Sequence, residues 1–135
     1  MGELNKVETK EKVETSAAEY FIEDSILYMR AKKDANFTLE VTMEGIEARK
    51  KLQNGRKFPV LIDMRLAFGV SVEAREYSAR DETTELYLAM AILSGKSLPA
   101  RMMGNFFIKF NKPNIPLKLF SSEGKAIEWL KSFKK

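Results

Sequence analysis

Asn54-Gly55-Arg56-Lys57-Phe58-Pro59-Val60-Leu61-Ile62-Asp63 (NGRKFPVLID) is the stretch on which the fold turns. Asn-Gly is a strong helix stop, because glycine takes the left-handed conformation past a helix end at no steric cost. Phe58 to Asp63 then forms a short, nearly continuous apolar run, the mark of a strand covered on both faces. Pro59 belongs near its start, where a missing N–H is tolerated.

Upstream, Thr38 reads as an N-cap whose hydroxyl satisfies an early helical N–H. Leu39, Met43 and Ile46 follow at helical spacing and Leu52 closes the apolar face, so a helix is expected over about 39–53. Before it, Val13 to Ile22 and Ser25 to Ala31 are β-type runs on either side of Glu23-Asp24, which predicts a β-hairpin. Residues 1–12 lack a packable apolar set and read as a flexible N-terminal tail.

Downstream, Ser71 caps a helix over roughly Val72 to Arg80, and Leu86 to Leu93 is a second continuous apolar run ending at Ser94-Gly95. Its length favours a strand over a buried helix. Ser97 caps a third helix with Pro99 in its first turn, and Met103, Phe106, Phe107 and Phe110 form its i, i+3, i+4, i+7 stripe. Asn111-Lys112-Pro113 ends it. Leu117 to Phe120 is a short strand, and Ser121 caps a last helix with Ala126, Ile127, Leu130 and Phe133 facing inward. The order is β-β-α-β-α-β-α-β-α. An N-terminal hairpin followed by alternating strand and helix predicts a single α/β domain over 13–135, with a mixed, mostly parallel sheet and helices outside.

Composition narrows the chemistry. The chain has 135 residues, enough for a core without disulfides or metals. It contains no cysteine and no histidine, which removes disulfides, thiolate or imidazole zinc sites, cysteine nucleophiles and any Ser-His-Asp triad. No acidic cluster has the spacing of a calcium or magnesium site, so no metal and no cofactor is expected. No run approaches a membrane span, and Met1 to Ser16 is too charged for a signal peptide, so a cytoplasmic location is expected. The net charge of +4 is uneven: residues 96–135 carry nine Lys/Arg against two Asp/Glu. That basic end can meet an anionic partner, but it lacks any recognised nucleic-acid motif.

The order of elements resembles the STAS fold of anti-anti-sigma factors and of related STAS/SEC14-like small bacterial proteins, within which it looks like a member of an uncharacterised family. The residues that carry the likeness are Asn54-Gly55 before Phe58 to Asp63, Ala74-Arg75, Ala91-Ile92-Leu93, Gly104-Asn105-Phe106-Phe107 with Lys109, Asn111-Lys112-Pro113, Leu119-Phe120, and Ala126 with Trp129-Leu130. The resemblance implies a phosphorylation-controlled protein-binding module. In anti-anti-sigma factors the phosphorylated serine opens the helix after the central strand. Here only Ser71 lies comparably, and the flanking Asp-Ser and following Gly of that motif are missing.

Each candidate residue has a structural and a functional reading. Ser71 is a helix cap or a phosphosite. Asp63 and Arg65 close a parallel strand at the end where open α/β sheets bind ligands, and are a loop ion pair or part of a ligand or partner surface. Arg101, Met102, Phe106 and Lys109 lie on the third helix, whose apolar stripe is wider than one core contact needs, and are core-flanking residues or a partner surface. Ser94-Gly95-Lys96-Ser97 resembles the end of a phosphate-binding loop, but Met90 stands where its first glycine belongs, which excludes nucleotide hydrolysis. No nucleophile–base pair is visible. The reading that results is a non-catalytic STAS-like interaction or regulatory module, with a protein partner or a homo-oligomer. The alternative is a carrier or sensor of a small apolar or lipid-like ligand held between the third helix and the sheet.

Overall fold

The computed structural model describes residues 11–95 and 113–134. The predicted third helix, and with it Arg101, Met102, Phe106 and Lys109, lies outside them.

The described residues open with three antiparallel strands, β1 (Glu11–Glu14), β2 (Ala18–Glu23) and β3 (Ile26–Ala31). The hairpin expected between the two β-type runs is β2–β3. Its turn residues Asp24 and Ser25 have φ of 54° and 63°, the positive values that match strand twist in a two-residue hairpin loop. The run from Val13 to Ile22 is not one strand. The Thr15 amide donates to the Ala18 carbonyl at 2.9 Å and turns the chain back, so β1 pairs beside β2. Glu11 and Lys12, which fall in the stretch expected as a tail, are paired with Ile22 and Phe21.

Strand β4 (Asn36–Phe37) is followed by α1 (Leu39–Gln53). Thr38 caps α1, its hydroxyl accepting from the Val41 amide, and Asn54 ends it with φ 51° before Gly55 at φ 80°. The inward face is turned from the predicted one, although Leu52 packs against the core and Ile46 is half-buried as expected. Met43 is 44% exposed, while Thr42, Gly45, Arg49 and Gln53 are buried. The rotation follows from packing: Gly45 leaves room for the Tyr20 hydroxyl, and the polar residues about one and two turns on find partners inside. Arg49 donates to the Gln53 side chain and to the Thr83 carbonyl, and Gln53 donates to the carbonyls of Arg56 and Leu86. A buried polar side chain is tolerated when bonded.

Strand β5 (Phe58–Asp63) is parallel to β3 on one side and to β7 (Tyr87–Leu93) on the other. The β5–β7 register shifts between Phe58 and Pro59, which places the proline where the ladder is already irregular. Strand β8 (Leu117–Phe120) completes a six-stranded sheet of order β1-β2-β3-β5-β7-β8, antiparallel at its start and parallel from β3 onward. Between β5 and β7 come β6 (Gly69–Val70), α2 (Val72–Ser78) and α3 (Asp81–Thr84). Helix α2 therefore stops before Arg80, and a separate short turn of helix follows it. The last helix, α4 (Glu123–Lys131), is capped by Ser122 rather than Ser121, since the Ser122 hydroxyl accepts from the Lys125 amide.

The sheet is covered on both faces. Tyr20, Leu27, Met29, Val60, Met90 and Ile92 pack on the α1 side. Phe21, Ile26, Tyr28, Leu61, Ala91 and Leu93 pack under Ala126 and Leu130 of α4. No helix among the described residues is long and apolar enough to cross a membrane.

Candidate functional site

At the C-terminal end of β5 the chain enters a segment, Met64 to Ser71, whose backbone is tied to another part of the fold. The Asp34 amide donates to the Leu66 carbonyl at 2.7 Å, the Phe68 amide to Ala35 at 2.8 Å, and the Ser71 amide to Phe37 at 3.0 Å. β6 within it pairs in parallel with β4, Asn36 opposite Gly69 and Phe37 opposite Val70. Met64 is buried at its start, and Ser71 closes it by accepting from the Ala74 amide at the N-terminus of α2. Between these anchors apolar side chains point outward: Leu66 is 59% exposed, Phe68 71% and, just past the cap, Val72 49%. Loops are normally polar where they meet water, so an ordered loop that shows leucine, phenylalanine and valine is out of the ordinary.

Beside this loop lies a four-residue charge network. Asp63 accepts from the Arg65 amide and side chain, the latter at 3.0 and 2.8 Å, and from Arg30 at 2.7 Å. Arg30 and Arg65 also donate to Glu123, in the first turn of α4, at 2.9 Å. The Arg30 guanidinium rests over the stacked rings of Phe21 and Tyr28, 5.6 and 5.5 Å from their centroids. Burial pushes the Asp63 carboxyl up, but the bonds from Arg65 and Arg30 outweigh it and hold the group below its usual 3.8. The bond from Arg30 holds Glu123 below its usual 4.5 against a smaller push from burial. Two cations and two anions balance, so the network ties β3, β5 and α4 together and is itself neutral.

Both carboxyls titrate lower in the folded protein than in the unfolded chain. Their stabilisation is therefore complete above the ordinary values of 3.8 and 4.5 and is lost as pH falls through the depressed ones. Urea unfolding midpoints measured from neutral to strongly acidic pH are expected to fall over that window. Asp63→Asn should be less stable at neutral pH and show a shallower acid fall. Parallel curves for the two proteins would remove Asp63 from the acid response.

Of the residues singled out in the sequence, Asp63 and Arg65 meet each other, and Ser71 closes the same loop as a cap. Arg75 turns inward, its guanidinium donating to the Val70 carbonyl at 3.0 Å. The sequence reading missed Arg30 and Glu123, which lie 33 and 60 residues from Asp63 and carry no local signal. It also passed over Leu66 and Phe68. Their signal was present, since two large apolar residues stand in a segment otherwise read as loop. Among the described residues no group of three or more acidic side chains could hold a metal ion.

Comparison with known proteins gives a family and a fold. A family model described as a domain of unknown function, DUF7793, matches residues 20–134. Among solved structures, the chain is similar to an uncharacterized protein of the DUF3478 family from Shewanella loihica PV-4 with a SpoIIAA-like fold. The two share 17% identity over 88% of this chain and 90% of that one, with a TM-score of 0.52. At that identity the likeness shows the fold alone, which is the STAS-like arrangement expected from the order of elements. No curated protein matches the chain.

Proposed function

Because the chain belongs to the DUF7793 family of domains of unknown function, its role has to be read from its surface, and we propose a non-catalytic, STAS-like regulatory module of the cytoplasm that docks another protein through the loop between β5 and α2. One observation carries the reading. Leu66, Phe68 and Val72 are three of the four exposed large hydrophobic residues among the described ones, and they fall within seven positions. The fourth, Met43, is on α1. Apolar side chains gathered on a loop that is already bonded in place bind at a low ordering cost. Arg65, 41% exposed at the side chain, stands at the rim and can orient a partner without being spent in the apolar centre. Three side chains fall well short of the ~800 Å² per partner that a stable dimer buries, which favours a transient protein partner over a second copy.

In this reading Ser71 is where modification acts. A phosphate there would displace the cap bond to Ala74 and put charge beside Phe68 and Val72. Arg101, Met102, Phe106 and Lys109 are retained as a second proposed contact surface.

Site-specific photocrosslinking in cells tests the proposal. A photoreactive phenylalanine analogue at Phe68 is expected to give a discrete heterologous adduct that disappears in the Leu66→Asp background. The same analogue at Lys51, on the exposed side of α1, should give none. The analogue at Met102 asks the same question of the second surface. Absence of an adduct at Phe68, or one that persists with Leu66→Asp, would overturn the docking role of the loop. An adduct only with a second copy of the chain would overturn the heterologous partner.

A further inference from the structure

On the sheet face away from α4 lies a cavity of about 120 Å³. Met29, Ile62, Met90 and Ile92 line it from the sheet, and Thr42 and Arg49 from α1. It is similar in scale to the ~150 Å³ apolar void known to admit benzene. Its walls are unusual in charge, because the described lining residues include Arg49 and Arg75 and no carboxylate.

Arg49 is 1% exposed, and every partner it has is neutral. It donates to the Gln53 side-chain oxygen at 2.9 Å and to the Thr83 carbonyl at 2.7 Å, and it sits 4.3 Å from the centroid of the Tyr87 ring. A buried cation held only by neutral groups is costly unless an anion reaches it. Among the described residues none does: the acceptors of Arg49 are Gln53 and the Thr83 carbonyl, and residues 96–112 contain no Asp or Glu. Glu3 and Glu8 are the only acidic side chains outside the described residues. In addition, Arg49 Nε and Thr42 Oγ1 are buried without a hydrogen-bond partner among the described residues. A buried cation with one unmet donor therefore belongs to the wall of a cavity lined mainly by apolar and aromatic side chains.

We infer that this cavity binds a small organic monocarboxylate with an apolar body, its carboxylate oxygen accepting from Arg49 Nε. A mainly apolar lining disfavours inorganic phosphate, which has no apolar body to set against Met29, Ile62 and Ile92. A carboxylate on a hydrocarbon body satisfies both halves of the site, with the charge on the guanidinium and the body against Met29, Ile62 and Ile92. Thr42 Oγ1, two turns earlier on the same helix face, offers a polar contact at the other end.

The arginine Nε–H signals of the ¹⁵N-labelled full chain report on this directly. Benzoate and hexanoate are the probes, and benzyl alcohol and hexanol their uncharged counterparts. The Arg49 Nε–H signal, assigned by its loss in Arg49→Met, is expected to shift saturably with the acids. The acids should bind about tenfold or more tightly than the alcohols, as a charge-assisted bond requires. In Arg49→Met that preference should vanish while the alcohols still bind. Three results would each overturn the inference: no saturable shift with either acid, equal affinity for acid and alcohol, or a preference that survives in Arg49→Met. If Arg49→Met does not fold, the wild-type comparison of acid with alcohol decides the matter by itself.

Discussion

Leu61→Ala is expected to destabilise the protein by about 3–5 kcal/mol, towards the upper end of leucine truncations in cores. Leu61 lies in β5 between β3 and β7, opposite Tyr28 on one side and Ala91 on the other, and has no exposed surface. Its face of the sheet is covered by α4, and several of the residues beside it are already small: Ala89 and Ala91 from β7 and Ala126 from α4. Alanines let the helix pack closely, and for the same reason they have no length with which to fill a void. The cost should therefore hold nearly all of the cavity penalty on top of the lost burial. Chemical denaturation with coincident circular dichroism and fluorescence transitions measures it. A loss below about 1 kcal/mol would mean that α4 slides to close the gap, and that this face is less tightly packed than its alanines indicate.

Gly45→Ala should lower stability by about 1–2 kcal/mol, although alanine is the better helix former by about 1 kcal/mol. A Cβ at position 45 would run into the Tyr20 hydroxyl, the ring of Tyr20 being buried between β2 and α1. Burial also pushes the Tyr20 hydroxyl well above the usual tyrosine range, so the group in the way stays neutral. The decisive comparison is a double-mutant cycle with Tyr20→Phe, which removes the atom in the way. In the Tyr20→Phe background, Gly45→Ala should be neutral or stabilising, a coupling of about 1 kcal/mol or more between the two sites. If Gly45→Ala costs the same in both backgrounds, the glycine is needed for something other than room for Tyr20.

The same position shows why the sequence misread α1. Its ends were legible because they depend on single residues acting locally: a threonine hydroxyl on the Val41 amide, and a left-handed Asn54-Gly55. Its inward face was not. Hydrophobic spacing favours Leu39, Met43, Ile46 and Leu52, of which Leu52 packs on the core and Met43 is exposed, while the most buried positions are Thr42, Gly45, Arg49 and Gln53. Periodicity counts apolar side chains and cannot count the carbonyls of Thr83 and Leu86 waiting to be bonded from 33 or 34 residues away. Likewise, the single cap one residue late at Ser122 reflects two adjacent serines of equal chemistry, between which only the chain's path chooses.

What the sequence determined by itself was therefore what short-range chemistry decides. The alternation of strand and helix, the doubly covered run Phe58 to Asp63, the caps at Thr38 and Ser71, and the exclusion of thiol and imidazole chemistry all follow from residues read in place. The tertiary structure alone decided which distant groups share a dielectric environment. It joined Arg30 and Glu123 to the Asp63–Arg65 pair, bonded the 64–71 segment to residues 34–37 so that Leu66 and Phe68 face water, and enclosed Arg49 among neutral partners. Side-chain exposure and charge pairing are properties of packed neighbours, and a neighbour brought close across dozens of residues leaves no trace in the local pattern on either side.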